Sequence, residues 1–103
     1  MSTATARVPT AHASKYLQQL CKHWQHNLEV SFTAERGTIV FPRDARGADW
    51  PGDGLVTMEA EAEALVVTVE ASNDEHLAAL EGAVARHLDR FAFREAPLVF
   101  EWG

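Results

Sequence analysis

Between Leu28 and Val69, apolar residues return at every second position in four separate runs. Leu28, Val30 and Phe32 alternate with Glu29, Ser31 and Thr33; Ile39 and Phe41 follow the turn Glu35-Arg36-Gly37; Val56, Met58 and Ala60 form a third set, and Leu65, Val67 and Val69 a fourth. A period of two sends successive side chains to opposite faces of a strand, so each run predicts a strand with one face buried and one face wet. Glu and Ala make 58–64 a competing helix, but Leu65-Val-Val-Thr-Val favours a hairpin there. Between the second and third runs, prolines 42 and 51 and glycines 47, 52 and 54 predict a loop over 43–54, with Trp50 standing in it.

The flanks carry a different period. From His12 to His26, Ala13, Leu17, Leu20, Cys21 and Trp24 fall at spacings of three and four, a helical stripe for which Thr10 is a candidate cap and Asn27 a candidate stop. Ser72 and Glu75 form a Ser-x-x-Glu capping box, and Leu77, Leu80, Val84, Leu88 and Phe91 continue it as a second stripe. Residues 4–9 read as a short first strand, and Leu98, Phe100 and Trp102, beyond Pro97, as a last one. The order is then β-α-β-β-β-β-α-β: an α+β fold with an antiparallel sheet and two helices packed on one face. It resembles the TBP-like β-α-β4-α layout with a strand added; a ferredoxin-like sheet is the alternative. The uncovered face should be wet and acidic, with Glu29, Ser31, Glu70 and Glu101.

A chain of 103 residues is one domain, 1–103, and too short for a TIM barrel of ~250 residues. Its net charge of −6 repels nucleic-acid phosphate and anionic membrane surfaces, so neither is an expected partner. Arg86, Arg90 and Arg94 are interrupted by His87 and Asp89 and read as a solvated helix edge. Cys21 is the single cysteine, so no intrachain disulfide forms. With no apolar signal core in Met1–Thr10 and no run near the ~18 apolar residues of a membrane span, a cytoplasmic location is expected.

Five histidines invite a metal. His23 and His26 are three apart on one helix flank, and His87 can face them if the helices pack side by side, so His23, His26 and His87 are the candidate transition-metal ligands. Structural zinc usually takes four ligands, and the sequence offers no natural fourth. Cys21 lies about 160° around the axis from His23 and cannot join; it reads as a half-buried structural thiol. Neither a Gly-rich nucleotide loop nor a Gly-x-Ser-x-Gly elbow is present. Trp50 is a candidate ligand platform or a lid on the core.

Ala13-Ser-Lys-Tyr-Leu-Gln-Gln-Leu-Cys-Lys-His-Trp-Gln-His26 and His87-Leu-Asp-Arg-Phe-Ala-Phe-Arg-Glu95 together resemble a small bacterial domain-of-unknown-function family, number 2218, over nearly the whole chain. The shared positions are Leu20, Cys21, Lys22, His23, His87, Arg90, Phe91 and Arg94; Leu20, Trp24, Phe91 and Phe93 read as core groups. Some relatives are joined to flavin-dependent siderophore-interacting proteins, so the resemblance implies a link to iron–siderophore metabolism and a flavin reductase as partner. The expectation is an accessory ligand-binding module, more a binder than an enzyme, using His23, Trp50, His87, Arg90 and Arg94. Self-association into a homodimer and a His-site metal protein are the alternatives.

Overall fold

The computed structural model describes residues 1–103, the side chain of Arg46 excepted. Strand β1 (Ser2–Pro9) leads through helix α1 (Ala13–Trp24) to β2 (Glu29–Phe32), β3 (Arg36–Phe41), β4 (Gly54–Ala60) and β5 (Ala64–Ala71), and helix α2 (Asp74–Phe91) follows. The sheet is antiparallel throughout, with spatial order β1-β5-β4-β3-β2. This is the β-α-β4-α order without an added strand. The order sets the ferredoxin-like alternative aside, and 58–64 form a strand end and a turn, not a helix.

Register follows from burial. Val30, Ile39, Val56, Val69 and Ala4 lie in one row across all five strands on the helix side. Ile39, Val56 and Val69 are fully buried, and each such side chain stabilises by roughly 1.5–3 kcal/mol relative to exposure. A one-residue slip would turn the whole row to solvent. The opposite face carries a matching row of hydroxyls, Ser31, Thr38, Thr57, Thr68 and Thr5. On one side of it lie Glu29, Val40, Leu55 and Glu70, and on the other Arg36, Glu59, Val66 and Arg7, so that face is mixed rather than simply acidic. Helix α1 comes so close to β3 that a methyl on Gly37 would lie 2.7 Å from Cys21 Sγ. Cys21 is therefore fully buried, beyond the half-burial its helix position suggested.

Two local expectations shift. Asn73 caps α2 in place of Ser72, its side chain accepting the His76 N–H at 2.8 Å. The α1 cap position is His12; Thr10 Oγ1 accepts the His12 N–H at 3.1 Å and donates to Glu95. No strand forms over 98–102. Asp89 Oδ1 accepts the Leu98 N–H at 2.9 Å and Glu95 is tied to α1, so the tail crosses the β1 edge at one point, where Thr5 and Gly103 exchange backbone hydrogen bonds of 3.0 and 2.9 Å. Glu101 consequently lies outside the sheet, and Phe93, expected near the core, is exposed beneath the Arg94 guanidinium. No helix of the described residues is long and apolar enough to cross a membrane.

Candidate functional site

On α2 the buried side chains His76, Leu80, Val84 and Leu88 recur every four residues, forming one ridge toward the sheet. His76 heads that ridge at 1% exposure. Its Nδ1 accepts the Ser72 backbone N–H at 3.1 Å and lies 2.8 Å from the Ser72 hydroxyl. A nitrogen that accepts carries no proton, so the neutral ring holds its proton on Nε2. Burial lowers the His76 pKa, with Asp53 pulling weakly the other way. A shared lone pair and a lowered pKa make this imidazole a poor base for the Ser72 hydroxyl, so the pair is a cap rather than a nucleophile with its activator.

The Nε2 edge of the ring sits over Gly54, where an added methyl would lie 3.2 Å from Nε2 and 2.5 Å from Leu80 Cδ1. The absent side chain leaves room for the ring. Trp50 stacks on His76, with centroids 4.6 Å apart and planes at 8°. Its loop is tied down: the Trp50 N–H donates to the Arg43 carbonyl at 3.0 Å, and Asp53 Oδ1 accepts the Arg43 N–H at 2.8 Å. Within the loop, Ala45–Gly47 form one 3-10 turn in a stretch that the prolines and glycines predicted as irregular.

These elements enclose a cleft of about 360 Å³. Trp24 comes from the last turn of α1, and Asn27 and Leu28 from the link to β2; Phe41 ends β3, and Pro42, Asp44, Ala45 and Trp50 lie in the β3–β4 connection; His76, Ala79, Leu80 and Ala83 come from α2. Trp24 meets Phe41 edge-on at 5.0 Å, giving the wall a second aromatic corner. No hydrogen-bond partner for His76 Nε2 exists among the described residues.

Of the sequence-predicted site residues, Trp50 lines the cleft. His23 and His87 do meet across the helix seam, 5.2 Å between centroids, and His87 packs on Trp24 at 4.8 Å, behind the cleft wall. His87 Nδ1 is 2.6 Å from the Ala83 carbonyl, which can only accept, so Nδ1 carries a proton. Arg90 and Arg94 are exposed and stand apart from the lining. Among the described residues no group of three His, Cys, Asp or Glu side chains is placed to hold a metal, so the three-histidine centre is not assembled: His23 and His87 adjoin, and His26 stays outside the pair. His76 was the residue missed. Its signal was present in the sequence, four positions ahead of Leu80 on the apolar stripe.

At the opposite end of α1, the Tyr16 hydroxyl and Thr10 Oγ1 both donate to the Glu95 carboxylate. Burial and the adjoining carboxylate push the Tyr16 pKa up to about 12, while the Tyr16 and Thr10 hydrogen bonds and the charges of His12 and Lys15 lower that of Glu95. The cluster fastens the tail to α1.

A family model described as an uncharacterized protein conserved in bacteria, DUF2218, matches residues 5–103. The NMR structure of PA4090 from Pseudomonas aeruginosa is similar, with 31% sequence identity, a TM-score of 0.76, and coverage of 100% of this chain and 96% of that one. No curated protein matches the chain.

Proposed function

The chain belongs to the bacterial DUF2218 family, and we propose that it is a small-molecule binding module whose ligand enters the cleft beside His76 and Trp50. One observation carries this reading. His76 is buried, its Nδ1 is committed to Ser72, and its Nε2–H has no partner among the described residues. Among the described residues the one fully buried side-chain N or O atom without a partner is Gln19 Oε1, so His76 Nε2 keeps a solvent-accessible edge, and a ligand acceptor there would exchange for water at a net gain of about 0.5–1.5 kcal/mol. Mostly apolar walls with a few polar groups, here His76, Asn27 and Asp44, are the usual make-up of a ligand pocket.

The relatives joined to siderophore-interacting flavoproteins suggest the setting: iron–siderophore metabolism, with a flavin reductase as partner. At about 360 Å³ the cleft suits one arm of a chelate, not the whole. His23, His87, Arg90 and Arg94 would then contact the remainder outside it. Titration with a ferric siderophore at micromolar concentration, followed by tryptophan emission, tests this. Trp24 and Trp50 line the cleft, so emission should fall, and Trp50→Phe should remove much of the change. Unchanged emission contradicts the siderophore setting.

Exposed Phe93 and Val99, at 71% and 55%, favour a second reading, homodimerisation through the tail. Light scattering decides it: a strict monomer at high concentration removes it.

A further inference from the structure

We infer that the cleft selects a flat, largely apolar ligand bearing an uncharged carbonyl-type acceptor, and discriminates against the matching carboxylate and the matching hydrocarbon. This rests on the binding reading above and adds the chemistry of the ligand.

Three features of the cleft carry it. The first is direction. With Nδ1 held by the Ser72 N–H, the neutral His76 ring can offer a ligand only a donor, its Nε2–H. A ligand with no acceptor leaves that donor unpaired and forfeits the gain, as sites built around one hydrogen bond reject analogues lacking it. The second is charge. The described lining has one ionisable carboxylate, Asp44, and no described cation; Asp53 acts on His76 from nearby. Arg43, on the same connection, pairs with Asp49 at 2.8 Å. The chain as a whole carries −6. A carboxylate entering here would lose its hydration and meet like charge, with only neutral donors, from His76, Asn27 and the lining tryptophans, as compensation. The third is shape. Trp50 lies parallel to His76, and Trp24 and Phe41 form an edge-on corner. Each pair is already in mutual contact, so a planar ligand would lie against these rings from the cleft side, by offset or edge contacts, and a two-ring body fits the volume of about 360 Å³.

The test is an NMR titration of the full chain with three probes of one shape: 1-naphthamide, 1-naphthoate and 1-methylnaphthalene. Resonances of Trp50 and His76 should move with the amide, which should bind up to about tenfold more tightly than either other probe, the worth of one hydrogen bond exchanged for water. His76→Phe keeps a ring against Trp50 but removes the donor, so the amide and the hydrocarbon should then bind alike. Naphthoate or methylnaphthalene binding as tightly as the amide to the unmodified chain overturns the proposed ligand class and leaves the binding cleft standing. If none of the three moves Trp50 or His76, both the ligand class and the cleft reading fall.

Discussion

Tyr16 at one end of the helical layer and His76 at the other are both buried side chains with a polar atom to satisfy, and they do so differently. The Tyr16 hydroxyl donates to Glu95, Thr10 donates to the same carboxylate, and the Thr10 oxygen accepts the His12 N–H. Each group there has its partner inside the chain, and the cluster fastens a tail that forms no strand of its own. His76 has its Nδ1 paired and no partner within the described residues for its Nε2–H, and its ring lines the cleft beside Trp50. A satisfied network holds structure together; a donor left without a partner in the chain at a cleft wall is the group that the proposed ligand would meet.

Four experiments sharpen or break that contrast. Gly54→Ala should have the largest effect, because its methyl would lie 2.5 Å from Leu80 Cδ1 and 3.2 Å from His76 Nε2. A loss of about 1–3 kcal/mol in denaturant unfolding is expected from overpacking, together with weakened cleft binding. Unchanged stability and binding would mean that the ring does not sit over Gly54.

Tyr16→Phe should cost about 1 kcal/mol, the worth of one hydrogen bond, and leave ligand affinity at the cleft unaltered. An affinity change would show that the two ends are coupled.

Acid should act on the ends in separate windows. The folded pKa of His76 lies below its ordinary 6.5. The unfolded chain therefore takes up the proton first, and the His76 contribution, complete above about 6.5, is lost as pH falls through the folded value. Glu95 lies below its ordinary 4.5; its contribution is complete above that and is lost only in stronger acid. Stability measured against pH should decline in two stages, the upper one absent in His76→Gln and the lower one reduced in Tyr16→Phe. A single stage in the parent chain would break the assignment.

The smallest effect concerns Cys21, whose thiol burial pushes up to about 11. A disulfide reagent at pH 8 should leave it unmodified in the folded protein and label it on unfolding; rapid native labelling would contradict the tight α1–β3 approach at Gly37.

Much of the fold was legible because period reports burial. The four alternating runs became β2 to β5, and both helical stripes became helices. The tail at 98–102 alternates equally well but is no strand, because alternation shows which side chains are buried and not whether an edge lies within reach. The loop position of Trp50 was legible from the prolines and glycines around it, and the structure places its ring on the cleft wall. His23 and His87 were rightly placed at one seam, yet His26 did not join them, since two residues on one helix flank need not converge on a third. His76 went unread because the Ser-x-x-Glu pattern drew the cap to Ser72. With Asn73 as the actual cap, His76 becomes the first member of the buried ridge.

The central claim is that His76 is a neutral Nε2–H donor serving the cleft. Long-range proton–nitrogen NMR of the histidine rings at pH 7, with and without 1-naphthamide, tests it most directly. An unprotonated Nδ1 and a protonated Nε2 are predicted, with the Nε2 signal moving on ligand addition while Tyr16 stays still. A proton on Nδ1, or an Nε2 signal indifferent to the ligand, would contradict the account.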